Sequence, residues 1–166
     1  STLDRSSAAS DVYKRQLKCG WNMTQTTTFE NTVTHPLRVF LVEDSLDVRE
    51  LMIENLTMIP GVVVAGVSES EGDALNQLNA LPCDVLIVDI QLKKGNGINL
   101  LRQISEKAKA ANALKIICSN NATEVFRRVG RQYGVNHFFD KTSEFPQLFE
   151  LVKSLSSANL GVRVHG

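Results

Sequence analysis

Cysteine is scarce in this chain of 166 residues, which contains only three. Cys19, Cys83 and Cys118 form no CxxC spacing, and no histidines cluster with them. An odd number of scattered cysteines argues against a disulfide framework and against a structural zinc site. We therefore expect a protein of the reducing cytoplasm.

The chain also lacks an excess of charge of one sign and a long apolar run. Its 18 basic and 18 acidic residues cancel, so no overall basic field is available for nucleic acid or an anionic membrane. The longest apolar runs, at residues 62–67 and 85–88, are about a third of the length that crosses a bilayer. With 43% hydrophobic and 22% charged residues, the composition is that of a globular protein. We expect one domain, no direct nucleic acid binding and no membrane association.

The first 35 residues differ in composition from the rest of the chain. They are polar, rich in Ser and Thr and without helical or strand periodicity, which is typical of a disordered tail. Within this tail, one run resembles the translation of sequencing-adapter DNA: Ser10-Asp11-Val12-Tyr13-Lys14-Arg15-Gln16. We expect residues 1–22 to be such an artefact, with Met23 as the true start, and a genuine flexible leader is the alternative. The predicted domain covers residues 36–156, and residues 157–166 are expected to form a C-terminal tail.

From Leu37 onward, short apolar strands alternate with amphipathic helices. The strand Leu37–Val42 precedes a helix in which apolar residues recur every three or four positions up to Ile59. Further strands are predicted at residues 62–67, 84–88, 114–118 and 136–139, and further helices at residues 69–81, 98–110, 123–133 and 144–155. This alternation requires right-handed crossovers and a parallel sheet covered on both faces. It predicts an α/β fold, a flavodoxin-like doubly wound (βα)5 sandwich with strand order 2-1-3-4-5.

Polar side chains stand at the carboxyl ends of four of these strands. Glu43 and Asp44 follow the first strand, Asp89 the third, Ser119 the fourth and Lys141 the fifth. Ligands of such sheets bind beyond these strand ends, at the switch point between the first and third strands. Each residue alone has a plainer explanation, as a helix cap or a solvated side chain. Their arrival at one crevice favours a functional site.

The residue types at this crevice indicate phosphoryl chemistry. Three carboxylates in a small volume repel one another unless a divalent cation neutralises them, and ligation by oxygen alone suits Mg²⁺. A carboxylate beside such a metal can attack a phosphoryl group and form an aspartyl phosphate. The hydroxyl of Ser119 can then donate to one phosphoryl oxygen, and the ammonium of Lys141 can pair with another.

Four motifs at these strand ends resemble the receiver domain of two-component response regulators, a family that includes the single-domain chemotaxis regulator. They are Val42-Glu43-Asp44-Ser45, Val88-Asp89-Ile90, Ile116-Ile117-Cys118-Ser119 and Phe138-Phe139-Asp140-Lys141. The resemblance covers roughly residues 37–155. It implies that a sensor histidine kinase or a phosphotransfer protein phosphorylates Asp89. It also implies that the chain is no enzyme beyond promoting its own phosphorylation and dephosphorylation.

The resemblance assigns the ligands of the metal. It makes Asp44 and Asp89 direct ligands of Mg²⁺ and has Glu43 reach the metal through water. The backbone carbonyl of Gln91, two residues beyond the phosphoacceptor, completes the set of protein ligands.

The resemblance also assigns the phosphoryl-binding and switch residues. Ser119 and Lys141 bind the phosphoryl group, and Gly97 matches the glycine of the loop that follows the phosphorylation site. Ser119 and Phe138 form a switch that alters a partner-binding surface on the fourth helix, fifth strand and fifth helix. Homodimerisation on phosphorylation is one outcome that this switch allows.

Three positions depart from the pattern of the family. Lys93 stands where a proline is usual four residues after the phosphoacceptor, and Thr142 stands where a proline commonly follows the lysine. The peptide after Lys141 therefore need not be cis, and that loop is expected to be more mobile. Asn120 replaces the usual Ala or Gly after Ser119, so access to the phosphoryl group is hindered and slow dephosphorylation is expected.

Other functions stay open from the sequence. The chain could be the receiver part of a longer regulator whose output domain is missing, although a stand-alone protein is favoured. A flavin or nucleotide binder would need a Gly-rich or Ser/Thr-rich loop after the first strand, where this chain is acidic. A phosphatase or phosphotransferase with an aspartyl phosphate intermediate generally has a second acid at the position of Gln91. A degenerate receiver used only for docking is disfavoured because all five site positions are filled.

Overall fold

The computed structural model describes residues 35–107 and 112–165, with side chains for residues 35–106 and 112–159. Residues 36–159 form one compact unit. The expected N-terminal tail, apart from His35, lies outside the described residues, and so does the adapter-like run within it.

Five strands alternate with five helices in the described ranges. The strands are β1 Leu37–Val42, β2 Val62–Ser68, β3 Val85–Val88, β4 Leu114–Ser119 and β5 Val135–Asp140. The helices are α1 Leu46–Thr57, α2 Glu71–Ala80, α3 Gly97–Lys107, α4 Glu124–Gln132 and α5 Phe145–His165. All ten predicted elements are present. The predicted end of α3, at residue 110, lies outside the described residues. Apart from this end and the end of α5, the bounds differ from the prediction by at most two residues.

Helix α5 is longer than the sequence predicts. It continues to His165, through the segment expected to be a C-terminal tail. Within this helix, Ser156 is buried and its hydroxyl donates to the carbonyl oxygen of Pro60, 2.7 Å away. This contact packs α5 against the turn between α1 and β2.

The strands form a single parallel sheet in the order β2-β1-β3-β4-β5, which confirms the predicted flavodoxin-like, doubly wound fold. Successive residues of β1 point to opposite faces of the sheet. Phe40 and Val42 pack with apolar residues of α2 and α3, whereas Val39 and Leu41 pack with those of α1 and α5. Helices therefore cover both faces.

The strands β1 and β3, which precede the predicted carboxylates of the site, are almost entirely buried. All four residues of β3 are buried, as the continuous apolar run predicts for a strand covered on both faces. Five of the six residues of β1 are buried as well. Among the described residues, no helix combines the length and apolar character needed to cross a membrane.

Candidate functional site

The register of the sheet brings the predicted site residues to one edge. Val42 at the end of β1 pairs with Val88 at the end of β3, and Val88 pairs with Ile117 of β4. Ser119 at the end of β4 pairs with Asp140 at the end of β5. The residues that come directly after these strand ends are therefore close to one another, beyond the carboxyl ends of the strands. Ligands of doubly wound sheets bind in this position.

Three carboxylates converge at this edge, as the sequence predicts. Glu43, Asp44 and Asp89 each offer one oxygen, and these oxygens all lie within 4.8 Å of one another. Glu43 is 1% exposed and Asp89 is 5% exposed, while Asp44 is half-buried. A set of oxygen donors of this kind fits a hard divalent cation.

Lys141 lies between two of these carboxylates. Its Nζ is 2.6 Å from Oδ2 of Asp89 and 2.7 Å from Oε1 of Glu43. Burial alone would lower the pKa of Lys141, but the hydrogen bonds to Asp89 and Glu43 outweigh it and the pKa is raised. The lysine is therefore held in its charged form.

For Glu43, burial affects the pKa more than the hydrogen bonds do. Burial raises the pKa of Glu43, and this effect exceeds the lowering by its hydrogen bonds to Lys141 and to the backbone N–H of Ser45. The carboxylate still has defined partners, because Ser45 donates to Oε2 at 3.0 Å and Lys141 to Oε1. Glu43 is thus fixed in place although its charge is costly to bury.

Ser119 and Gln91 also lie at this edge of the sheet. The hydroxyl oxygen of Ser119 is buried and accepts a hydrogen bond from the backbone N–H of Asn121 at 3.2 Å. The hydroxyl keeps its own hydrogen for donation to another acceptor. Gln91 is exposed and pairs with Asn96 across an isolated antiparallel bridge, and its carbonyl ligation of a metal stays a prediction.

Phe138 packs against α4. Its ring lies against Gly130, and the guanidinium carbons of Arg127 and Arg131 are 5.4 and 5.7 Å from the ring centroid. Cations this close to an aromatic face attract it. The ring therefore links β5 to the helix whose surface the predicted switch would alter.

Sequence reasoning missed two groups that hold the acidic cluster. The backbone N–H of Lys93 donates to Oδ2 of Asp44 at 2.7 Å. The guanidinium of Arg49, on α1, donates to the carbonyl oxygen of Glu43 at 2.9 Å. The absence of a proline at position 93 is a sequence signal for the first contact, since proline has no N–H to donate.

The loop after β5 has bonds of its own. Oδ1 of Asp140 accepts the backbone N–H groups of Thr142 and Ser143 at 2.8 and 3.0 Å, and these bonds lower the pKa of Asp140. The hydroxyl of Thr142 donates to Oδ1 of Asn120 at 3.0 Å. No peptide bond in the described ranges is cis. Two of the positions that depart from the family pattern therefore contact one another.

Gly97 should tolerate no side chain. A Cβ at this position would overlap the carbonyl oxygen of Asp89 and lie 2.7 Å from Cγ1 of Val88. We expect Gly97→Ala to lower the free energy of unfolding by about 3 kcal/mol and to displace the backbone of Asp89. Urea unfolding measures the first effect. The control is Gly72→Ala in α2, where an added Cβ meets nothing within 4 Å; equal stability of the two variants would contradict the prediction.

The sequence match to a family model decides the assignment of the chain. Residues 39–153 match the response regulator receiver domain. The chain belongs to this family. It is a receiver domain of two-component signalling, and receiver domains are in general not catalytic.

The curated relatives that this receiver domain matches are longer proteins. It is 30% identical over 94 residues to protein-glutamate methylesterase/protein-glutamine glutaminase 5 of Myxococcus xanthus, covering 57% of this chain and 27% of that protein. The receiver domain is also 37% identical over 71 residues to protein-glutamate methylesterase/protein-glutamine glutaminase 1 of Syntrophus aciditrophicus. This match covers 43% of this chain and 20% of that protein. The match therefore spans about a quarter or less of these relatives.

Solved structures confirm the receiver fold. The response regulator domain of CheB from Thermotoga maritima has a TM-score of 0.65 at 22% identity, covering 76% of this chain and 98% of that one. The CheY-like receiver domain protein from Methanospirillum hungatei has a TM-score of 0.65 at 17% identity, covering 76% and 97%. At these identities the likeness shows the fold alone.

Proposed function

We propose that this receiver domain accepts a phosphoryl group on Asp89 from a sensor histidine kinase or a phosphotransfer protein, in the presence of Mg²⁺. One observation carries the proposal. Asp89 is buried at the switch point, with a carboxylate oxygen in the acidic cluster and with Lys141 at 2.6 Å. This arrangement supports a site in which a nucleophile, metal ligands and a cation for the phosphoryl group act together.

The acidic cluster fits Mg²⁺. Asp44 and Asp89 would be direct ligands, Glu43 would reach the ion through water, and the carbonyl of Gln91 would complete the protein ligands. When bound, Mg²⁺ offsets the charge of the three carboxylates and of the incoming phosphoryl oxygens.

In the proposed transfer, a carboxylate oxygen of Asp89 attacks the phosphorus of a phosphohistidine. The new O–P bond forms as the P–N bond breaks, and the bonding electrons leave with the imidazole of the donor. Lys141 then pairs with a phosphoryl oxygen in place of the carboxylate that has become an acyl phosphate, and its raised pKa keeps it charged for this role. Ser119 donates its free hydroxyl hydrogen to a second phosphoryl oxygen.

The change would then spread to the surface formed by α4, β5 and α5. Movement of Ser119 toward the phosphoryl group leaves space beside Phe138, whose ring is held by Arg127 and Arg131 of α4. A rotation of this ring would alter the arginine contacts and therefore the surface that a partner reads. Homodimerisation on phosphorylation is one form of this output, and light scattering with and without phosphodonor measures it.

The proposed function has a direct test. The full chain is incubated with Mg²⁺ and acetyl phosphate, and its intact mass is measured. We expect a gain of one phosphoryl group that disappears when EDTA replaces Mg²⁺. No gain with acetyl phosphate, phosphoramidate or a phosphorylated histidine kinase would overturn the proposal.

We propose a cytoplasmic signalling role in which the domain catalyses nothing beyond its own phosphorylation and dephosphorylation and binds no nucleic acid directly.

The side chain of Asn120 is expected to slow dephosphorylation. Asn120 directly follows Ser119, and its Oδ1 accepts a hydrogen bond from the hydroxyl of Thr142 at 3.0 Å. We expect a side chain held at this position to hinder an attacking water. We expect Asn120→Ala to shorten the half-life of the phosphoprotein several-fold, measured by the decay of radiolabel. Thr142→Val, which removes the anchoring donor, should shorten it less, and Asn136→Ala on the exposed part of β5 should leave it unchanged. Equal lifetimes of wild type and Asn120→Ala would remove the idea.

A further inference from the structure

The loop between β3 and α3 contacts a proposed metal ligand through its backbone. The N–H of Lys93 donates to Oδ2 of Asp44 at 2.7 Å. We propose that Lys93 is a positioning residue for Mg²⁺, acting through this backbone N–H and not through its ammonium, and that Glu71 of α2 holds the loop in the required place. The inference rests on the proposed function, because it concerns how the acidic cluster binds its metal.

Asp44 needs such support because it is the least buried member of the cluster. Glu43 and Asp89 are buried and share Lys141 as a partner, whereas Asp44 is half-buried. An aspartate on a loop has several rotamers, of which few direct an oxygen at the metal. A hydrogen bond to Oδ2 limits the rotation of the carboxylate and leaves acceptor sites on its oxygens for the ion. Outer partners of this kind typically change metal affinity about tenfold or more.

Glu71 fixes the loop that carries the Lys93 N–H. Its own backbone N–H donates to the carbonyl oxygen of Lys94 at 3.0 Å. Its carboxylate accepts the backbone N–H of Asn96 at 2.8 Å, the side-chain amide of Gln103 at 2.8 Å and the side-chain amide of Asn99. The carboxylate of Glu71 thus ties α2 both to the loop, at Asn96, and to α3, at Asn99 and Gln103. This arrangement can replace the stiffness that a proline would give to the loop.

Two further features fit a loop held against α2. Ser70, which precedes Glu71, forms an isolated parallel bridge with Lys94. Gly95 has a φ of +101°, and a Cβ there would overlap the side chain of Glu71. Glycine adopts this conformation without strain and allows the close approach. The loop therefore has a defined path that leads the Lys93 N–H to Asp44.

The ammonium and the N–H of Lys93 can be separated by experiment. Lys93→Ala and Lys93→Pro both remove the ammonium, which is exposed, but only proline removes the N–H. Because proline also restricts φ, a third variant carries the α-hydroxy analogue of lysine at position 93. It replaces the amide with an ester and keeps the side chain.

The affinity of the full chain for Mg²⁺ is measured by isothermal titration calorimetry without phosphodonor. We expect Lys93→Pro to bind Mg²⁺ about tenfold more weakly than Lys93→Ala, and the ester to bind about tenfold more weakly than wild type. Glu71→Ala should also weaken binding, and combining it with the ester should add less than the two separate effects.

The outcomes distinguish this inference from the proposed function. Wild type that binds no Mg²⁺ at millimolar concentration would overturn the proposed function and this inference with it. Wild type that binds Mg²⁺ with the same dissociation constant as the ester variant would overturn the inference alone. Weaker binding by the ester with unchanged binding by Lys93→Ala is the result that supports it.

Discussion

Replacing Asp89 with asparagine is expected to abolish phosphoryl acceptance. Asp89→Asn keeps the size of the side chain but puts a neutral amide in place of the carboxylate, and an amide is not a nucleophile toward phosphorus. The acidic cluster also loses one of its three carboxylates, so binding of Mg²⁺ should weaken. Intact mass after incubation with Mg²⁺ and acetyl phosphate measures the first effect, and titration calorimetry measures the second.

The matched control is Asp47→Asn, at an exposed aspartate in the first turn of α1. It removes the same charge without altering the acidic cluster, so it should gain one phosphoryl group as wild type does. If Asp89→Asn gains a phosphoryl group at the wild-type rate, the acceptor is another residue, and peptide mapping of the modified protein would locate it.

The fold could be predicted because its signals are local and repeated. Apolar runs such as Val85–Val88 are typical of central parallel strands that are buried on both faces. The alternation with amphipathic helices then leaves few topologies. The convergence of Glu43, Asp44 and Asp89 could be predicted for a related reason, since the carboxyl ends of parallel strands share one edge of the sheet.

The remaining features depend on contacts between segments that are distant in sequence. The hydroxyl of Ser156 on α5 donates to the carbonyl oxygen of Pro60, 96 positions away in the chain, and a local apolar pattern cannot reveal such a contact. The N–H of Lys93 is an ordinary backbone group until the loop path, set by Glu71, leads it to Asp44. A sequence motif shows which residue types are present, but not which backbone groups from distant segments form hydrogen bonds with them.

A large loss of stability is expected when Lys141 is replaced, because Lys141 is the counterion of two buried carboxylates. Lys141→Met keeps most of the length of the side chain and removes its charge, which leaves Glu43 and Asp89 without the cation that lies 2.7 and 2.6 Å from them. Removing one partner of a buried ion pair is strongly destabilising, by about 3 kcal/mol or more. We expect a loss of that size in the free energy of unfolding at neutral pH without Mg²⁺, measured by urea denaturation, together with slower phosphorylation.

The pH dependence of this loss follows from Glu43. Burial already raises its pKa, and without the lowering contribution of Lys141 the pKa in the folded variant rises further. A carboxyl group whose pKa is higher in the folded state binds more protons there, so folding becomes less favourable as pH rises through that pKa. The deficit of Lys141→Met should therefore be largest at neutral pH and shrink as the pH falls toward the pKa of Glu43.

The response to Mg²⁺ tests more directly whether Lys141 neutralises the acidic cluster. Because Mg²⁺ can neutralise the same carboxylates, saturating Mg²⁺ should restore more stability to Lys141→Met than it adds to wild type, through preferential binding to the folded state. The control is Lys153→Met, at an exposed lysine of α5, which should show neither the loss nor the extra response to Mg²⁺. If Lys141→Met matched Lys153→Met in metal-free stability, Lys141 would not be neutralising the acidic cluster. The same charge balance would explain why the domain can hold three carboxylates together before any metal arrives.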